Sequence, residues 1–429
     1  MLINLINFFA IILYMMNRGI FGFCCCLSVS ILVMLKRASF IYKIFYLCII
    51  SLPFSYIGIL GMDMPHLFSW TNIYLLILIS YLTIVNRGKL NINYNLFIIV
   101  LLLTITLILT CSLTIENSKS IIELSQIFVM VFTILLTWCC RYKIKISECQ
   151  ALVLMHAFTN TCIITAIATI IQWAAYFMFT KEIGFVTHMA VRVICNCLYK
   201  GMSVLSIFFG LAAILVLLQF GKFSPKMVDF LRMGILLFGV VANTSRSGLV
   251  GVSLVFLIYL INDYLNNKRI SKFIILGVLG IALLALSSYQ LVAVRGNLDN
   301  LLDDNGRFLT YKTGIEIWTQ SIGNFLFGAG FEDSIWLKGG GMTSHNMLIQ
   351  SLAQCGIIST SLFIILFAMY FIRIKKTPYV FLFLYIIITG MMITDFYANS
   401  FTTMAMCLIV IANSANFERC STNIVRSIK

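Results

Sequence analysis

Long apolar runs separated by short polar clusters make up almost the whole chain. A helix needs ~20 mostly apolar residues to cross a bilayer, and a backbone in lipid must satisfy its own hydrogen bonds, so these runs favour helices. The pattern predicts 12 to 14 membrane spans. The candidates are 1–16, 19–35, 44–61, 67–85, 96–114, 124–140, 150–178, 203–219, 227–242, 248–262, 273–293, 346–372, 378–394 and 401–413.

The first two candidate spans are the least distinct, because only Asn17 and Arg18 separate them. A re-entrant pair or a single tilted span is therefore an alternative at this end of the chain.

Composition supports a membrane protein of the all-α class. Of the 429 residues, 61% are apolar and 10% are charged, and the mean hydropathy is +1.01. A soluble chain is about 45–50% apolar and about 25% charged. The composition thus excludes a cytosolic enzyme, a disordered chain and a nucleic-acid binder, despite the net charge of +15.

The lysines and arginines predict the orientation of the spans, since short cytoplasmic loops are enriched in both residues. With both termini in the cytoplasm, twenty of the thirty bases fall on the inner side, and eleven of the fifteen acids fall on the outer side. The excess of basic residues therefore reflects the topology of the spans. The lysines and arginines on the outer side are of interest because membrane insertion does not require them there.

Two outer segments interrupt the apolar pattern, a first loop near 179–202 and a long loop at 294–345. A loop of ~50 residues between spans is unusual and generally functional. The cysteines predict no disulfide framework. Cys195 and Cys197 in the first loop form a C-x-C pair that suits neither a mutual disulfide nor a zinc site. We interpret the cysteines as small packing residues.

The long loop contains a predicted helix that starts near Gly306 and ends at Trp318. Arg307, Tyr311, Gly314 and Trp318 would share one face of this helix. Tyrosine and tryptophan suit the headgroup layer, so an interfacial helix would place Arg307 at the depth of lipid phosphates. A helix that only seals the loop is the alternative.

The same loop continues with Gly328-Ala329-Gly330-Phe331 and ends with Ser344-His345-Asn346. His345 lies where the next apolar run begins. A histidine at this point is either a structural cap or a general base. Three acids near the start of the loop, Asp299, Asp303 and Asp304, have the chemistry to bind a divalent cation, but a solvated acidic stretch is the simpler interpretation.

A third feature is the turn Ser245-Arg246-Ser247-Gly248 between two late spans on the outer side. An arginine between apolar spans is costly unless it meets a counter-ion. A phosphate would suit it, because guanidinium binds phosphate in a two-pronged geometry. Snorkelling of Arg246 at a helix end is the alternative.

Taken together, these features resemble the O-antigen polymerase and ligase superfamily of bacterial envelope glycan synthesis. The resemblance covers about residues 185–400 and rests on the order of four motifs. They are Ser-Arg-Ser-Gly at 245–248, Gly-Arg at 306–307, Gly-Ala-Gly-Phe at 328–331, and Ser-His-Asn at 344–346 running into Met-Leu-Ile-Gln-Ser-Leu-Ala-Gln-Cys-Gly at 347–356.

The resemblance implies a GT-C-like glycosyltransferase in the bacterial inner membrane, with its active site on the periplasmic face. Its donor is an oligosaccharide linked to undecaprenyl diphosphate. Arg246, Arg307 and His345 are the implied catalytic residues, and Arg246, Arg307, Arg192 and Tyr311 are the implied contacts to diphosphate and glycan. Neither metal nor cofactor is expected. The lipid bilayer, a chain-length regulator and a flippase are the implied partners, and nucleic acid is not.

The favoured function is a polymerase that joins repeat units by metal-independent, inverting transfer. A ligase that transfers the glycan to the lipid A core is the alternative, and a flippase for lipid-linked oligosaccharide is a further one. The region 1–202 is predicted to be a group of N-terminal helices, and 203–429 to be the polymerase- or ligase-like region. No Walker motif for ATP is present in the sequence.

Overall fold

A computed structural model shows a helical bundle. It describes residues 1–61, 68–85, 94–113, 118–140, 144, 146–189, 192–199, 204–222, 227–242, 246–267, 307–331, 344, 346–392 and 400–414. In these ranges the chain forms fifteen α-helices and one two-stranded hairpin. The all-α class is confirmed.

The helices fall into three groups along the chain. The first group is α1 Leu2–Met15, α2 Gly19–Met34, α3 Phe40–Ile50, α4 Trp70–Val85, α5 Tyr94–Leu113, α6 Ser118–Cys140 and α7 Glu148–Phe179. After the strands β1 Val186–Met189 and β2 Arg192–Cys195 come α8 Val204–Lys222, α9 Met227–Ala242 and α10 Arg246–Asn267. The last group is α11 Arg307–Thr319, α12 Ile322–Phe327, α13 Met347–Ile374, α14 Val380–Gly390 and α15 Ser400–Ser414.

The apolar helices agree with the predicted spans. Thirteen of the fourteen candidates coincide with described helices, and the remaining one, 273–293, lies outside the described residues. Three helical stretches in the described chain are long and apolar enough to cross a membrane by themselves, at Glu148–Phe179, Ser247–Leu265 and Met347–Ile374. Nine other helices contain shorter apolar stretches, of 10–17 described residues each. Together they make a polytopic membrane protein.

The predicted span at 44–61 is wrong in its second half. The helix begins earlier, at Phe40, and ends at Ile50, where a short 3-10 turn at Leu52–Phe54 follows. Proline lacks the backbone N–H that an α-helix needs, so Pro53 ends the regular ladder. The chain then turns back through a bridge between Gly58 and Gly61.

The first two spans are two separate helices that pack against each other. Asn17 adopts a left-handed backbone with φ 57°, which reverses the chain between them. Gly19 is needed here, because a Cβ at this position would lie 1.8 Å from the carbonyl oxygen of Leu60. The single tilted span is thereby excluded.

The loop predicted near 179–202 contains the hairpin, which the sequence interpretation did not predict. Val186 pairs with Cys195, and Met189 pairs with Arg192. The hairpin is anchored by the carboxamide of Gln172 on α7. Its nitrogen donates to the carbonyls of Ile183 (2.6 Å) and Phe185 (2.9 Å), and its oxygen accepts from the N–H of Cys197 (2.7 Å).

Further bonds tie the base of the hairpin to the N-terminal helices. The N–H of Gly184 donates to the carbonyl of Met15 at 2.7 Å, and the Tyr199 hydroxyl donates to the carbonyl of Leu52 at 2.7 Å. Burial raises the pKa of Cys195 to about 11 and that of Cys197 to about 12. Both thiols are free and packed, as predicted.

We predict that Gln172→Leu will destabilise the protein by about 2 kcal/mol, because the part-buried carbonyl of Ile183 and the buried N–H of Cys197 lose this partner, while the carbonyl of Phe185 keeps the N–H of Asn196. Thermal unfolding of the purified protein in detergent measures the effect. The same substitution at the exposed Gln320 is the control. Equal melting temperatures for the Gln172 and Gln320 variants would contradict the anchoring role.

Candidate functional site

Helix α11, which begins at Arg307, confirms the predicted helix in the long outer loop. Its buried face is made by Thr310, Thr313, Gly314 and Ile317, which follow the i, i+3, i+4, i+7 spacing of one helix side. The predicted face is therefore displaced. Of its members, only Gly314 is buried, while Arg307, Tyr311 and Trp318 lie half-buried along the edge. Arg307 thus lies between the packed side and the open side of the helix.

A second short helix, α12, follows directly and was not predicted. Ser321 caps it by accepting from the N–H of Asn324 at 3.0 Å. The indole N–H of Trp318 donates to the carbonyl of Phe325 at 3.0 Å, and the two rings stack with centroids 4.9 Å apart. The capping serine is the local signal that sequence reasoning missed. Helices α11 and α12 thereby form one helical hairpin.

The outer side of this helical hairpin is strongly apolar. Phe308 is 74% exposed and Ile322 is 81% exposed, and Leu309, Ile315 and Phe325 are exposed as well. Large exposed apolar side chains that cluster in this way are typical of an interaction surface. Lys312 and Glu316 lie on the same helix at 3.8 Å from each other, both well exposed.

The Gly328-Ala329-Gly330-Phe331 segment joins this helical hairpin to α13. The N–H of Ala329 donates to the carbonyl of Ala353 at 2.8 Å, and the N–H of Gly330 donates to the carbonyl of Gln354 at 3.1 Å. Both acceptors lie just before Gly356, where α13 is broken by a non-helical residue with φ 71° and ψ 177°. The Gly-Ala-Gly-Phe motif at 328–331 and the end of the motif at 347–356 thus bind each other through their backbones.

We call the contact between Gly328–Phe331 and the break of α13 at Gly356 the joint. Its glycines, Gly328 and Gly356, are required both by the lack of space and by the backbone conformation. A Cβ on Gly328 would lie 2.2 Å from the carbonyl oxygen of Gln354, and a Cβ on Gly356 would lie 2.4 Å from that of Leu326. Both residues have positive φ with ψ near 180°, a region that only glycine occupies without strain.

Hydroxyl groups surround the joint and connect it to α5. The Thr110 hydroxyl donates to the carbonyl of Phe327 at 2.5 Å, and the Ser359 hydroxyl donates to the hydroxyl of Thr106 at 2.8 Å. Ser351 and Thr360 are hydrogen-bonded to each other across the break at 2.9 Å. Below this layer, Phe331 packs in an apolar cluster; the other members are Leu103, Leu107, Ile127, Cys355 and Phe363.

Asn346 explains one part of the Ser-His-Asn motif. Its side-chain oxygen accepts from the N–H groups of Leu348 (2.9 Å) and Ile349 (3.2 Å), so it caps the start of α13. Buried Ser344 donates to the carbonyl of Asn346 at 3.1 Å. His345 lies outside the described residues, and its role as a base stays a prediction.

The Ser-Arg-Ser-Gly turn leads into α10, which begins at Arg246. Ser247 is buried, and a Cβ on Gly248 would lie 2.4 Å from the hydroxyl oxygen of Ser206 on α8. The glycine therefore lets the starts of α8 and α10 pack closely. The structure describes the backbone of Arg246 but not its side chain, so its approach to Arg307 stays a prediction.

Arg192 occupies the first position of β2, opposite Met189 at the tip of the hairpin. Its side chain also lies outside the described part of the chain. In the same hairpin, the exposed side chains of His188 and Glu182 are hydrogen-bonded to each other at 2.6 Å.

Arg307 has no carboxylate partner among the described residues. The described acids of the outer loops, Glu182 and Glu316, face His188 and Lys312 respectively. A half-buried guanidinium that no described carboxylate contacts is suited to an anionic ligand. Within the described ranges no three His, Cys, Asp or Glu residues are grouped to hold a metal, and Asp299, Asp303 and Asp304 fall outside those ranges.

Residues 231–364 match a family model described as O-antigen ligase. This match covers about a third of the chain, within its C-terminal half. The matched segment includes Arg246, Arg307 and His345, together with the joint at Gly328 and Gly356, and it confirms the resemblance to the O-antigen polymerase and ligase superfamily. Members of this family are glycosyltransferase-like ligases and polymerases, which supports an enzyme. No curated protein is similar to the chain at a significant level.

Proposed function

We propose that this protein is a polymerase of O-antigen or a similar surface polysaccharide, which joins undecaprenyl-diphosphate-linked repeat units on the outer face of the bacterial inner membrane. The observation that carries the proposal is the O-antigen ligase match across a segment in which Arg307 lies half-buried on a helix docked onto α13. The distribution of lysine and arginine supports a topology with both termini in the cytoplasm.

The proposed reaction relies on arginines because the donor carries a diphosphate leaving group. Its departure builds negative charge on the bridging oxygen, and fixed donors aimed at that charge stabilise the transition state by several kcal/mol. Arg307 and Arg246 fill this role, and Arg192 and Tyr311 contact the glycan or diphosphate. With the diphosphate held by guanidinium groups, the reaction needs no metal.

The acceptor is a sugar hydroxyl, which is a poor nucleophile while it keeps its proton. We assign proton removal to His345, a contribution of about 100-fold or more for a positioned base. The oxygen then attacks the anomeric carbon as the carbon–oxygen bond to the diphosphate breaks. Direct displacement of this kind inverts the anomeric centre.

The apolar side of the helical hairpin fits a donor that is delivered in the membrane. Phe308, Leu309 and Ile322 are the kind of side chains that enter the boundary between headgroups and acyl chains. With these residues in lipid, Arg307 lies at the level of the carrier diphosphate. A flippase that supplies the donor and a chain-length regulator are the expected partners.

The ligase reaction is the second candidate, favoured by the description of the matching family model. It uses the same donor and the same arginines, and differs only in the acceptor, which is then the lipid A core.

A strain that lacks this gene separates the two reactions. We expect surface glycan reduced to a single repeat unit on the lipid A core, because the core can still be capped when polymerisation stops. Gel analysis of lipopolysaccharide measures chain length. Full-length polymer retained on undecaprenyl diphosphate would refute the polymerase and support the ligase.

Replacing Arg307 tests the diphosphate role directly. We expect Arg307→Ala to lower polymer formation by about 100-fold or more, as loss of one charge-stabilising donor does, and Arg307→Lys to remain impaired because a point charge lacks the guanidinium fork. Lys312→Ala, an exposed cation on the same helix, is the control. Normal chain length in Arg307→Ala at equal protein abundance would remove Arg307 from the site.

Replacing His345 tests the base. We expect turnover of the natural protein to fall as pH is lowered, because a protonated imidazole cannot accept the acceptor proton. His345→Ala should bind undecaprenyl diphosphate normally but turn over slowly at every pH from 6 to 8. If that variant keeps natural turnover over this range, His345 is not the base.

A further inference from the structure

We infer that the joint between Gly328–Phe331 and the broken helix α13 positions the catalytic groups of the proposed transfer reaction. The inference rests on the proposed function. The joint sets where α11, with Arg307 at its start, lies relative to the start of α13, whose cap Asn346 directly follows His345 in the sequence. Gly328, Gly356 and Thr110 are therefore positioning residues, away from the reacting atoms.

The joint has to be strong because α13 is interrupted within the bundle. A carbonyl that loses its helical partner in apolar surroundings costs several kcal/mol unless another donor replaces it. The N–H groups of Ala329 and Gly330 supply donors to Ala353 and Gln354. Separation of the helical hairpin from α13 would remove these two donors, so the pairing resists displacement.

The joint also allows only one docking position. At Gly328 and at Gly356, backbone atoms of the facing segment lie within 2.5 Å of where a Cβ would be. The two segments are therefore as close as two backbones can come. Ile317 of α11 packs against Ala353 one turn before the break, with Ala329 beside them. A slip of one residue would bring side chains into this space. Arg307 is thereby held at a fixed distance from the start of α13.

Thr110 holds the joint from a third side. Its hydroxyl oxygen lies 2.5 Å from the carbonyl oxygen of Phe327, which precedes Gly328 and is 217 positions away in sequence. It also lies 2.9 Å from the carbonyl oxygen of Thr106 in its own helix, and the carbonyl of Phe327 is the closer acceptor for its one proton. Because α5 lies outside the matched segment of 231–364, this threonine is a contribution of the N-terminal half to the site. Replacing its hydroxyl with a methyl group weakens one side of the joint without adding bulk.

Enzyme kinetics on Thr110 variants test the inference. The full-length protein is placed in nanodiscs, and its substrate is the lipid-linked repeat unit extracted from the strain lacking the gene. We expect Thr110→Val to lower kcat by up to about 100-fold, the scale of a displacement near 1 Å, with KM and the binding of bare undecaprenyl diphosphate unchanged. Thr110→Ser keeps the hydroxyl and should restore kcat.

A control variant, a hydrogen-exchange measurement and a second joint variant complete the experiment. Thr159→Val removes a buried hydroxyl that bonds the carbonyl of Met155 in its own helix, and it should leave kcat unchanged. Hydrogen exchange should show faster exchange at Ala329 and Gly330 in Thr110→Val than in the natural protein. Gly356→Ala should lose kcat more severely, and if it fails to fold, the Thr110 pair still decides.

The outcomes distinguish this inference from the proposed function. If Arg307→Ala abolishes polymer while Thr110→Val keeps the natural kcat, the positioning inference is wrong and the proposed function stands. Equal losses in Thr110→Val and Thr110→Ser, or in Thr110→Val and Thr159→Val, would also overturn it. If Arg307→Ala forms normal polymer, the proposed function itself fails.

Discussion

Backbone polar groups that water cannot reach must find hydrogen-bond partners within the protein. This constraint decides what must pack against the break in α13 at Gly356. The carbonyls of Ala353 and Gln354 accept from Ala329 and Gly330, so the long outer loop is drawn into the bundle. This pairing attaches the segment at 328–331 to α13, a helix of the bundle. Arg307 gains a defined place because its helix belongs to the same docked unit.

The same constraint shapes the other outer segment. Gln172 supplies three hydrogen bonds to the base of the hairpin that carries Arg192. Glycines act alike in both places, because backbones approach closely at Gly184, Gly328 and Gly356. The β-hairpin and the helical hairpin α11–α12 are therefore both anchored to the apolar bundle by hydrogen bonds of backbone groups. An enzyme that binds a flexible, lipid-linked substrate benefits from groups held in advance of binding.

The sequence predicts the parts of this fold that hydrophobic period and charge control. Thirteen spans and the helix at Arg307 follow from apolar runs and spacing. The apolar pattern predicts neither the hairpin at 186–195 nor the helix at Ile322–Phe327. The hairpin depends on Gln172 of the preceding helix, and the signal for the short helix is its capping residue Ser321. The sequence shows the motifs that contain Gly328 and Gly356, but it does not predict that the two motifs contact each other. Periodicity reports which side of a helix is buried, not which loop satisfies a carbonyl. The catalytic roles came from the family resemblance, which composition alone does not supply.

The central claim is that the α11–α12 hairpin and its arginine face the outside of the membrane, where lipid-linked glycans are joined. Reporter fusions test it most directly, with alkaline phosphatase joined after Gln320 at the turn of the helical hairpin and, separately, after Lys376 at the far end of α13. The account predicts high phosphatase activity for the first fusion and little for the second. The reverse pattern would place Arg307 in the cytoplasm and contradict the account.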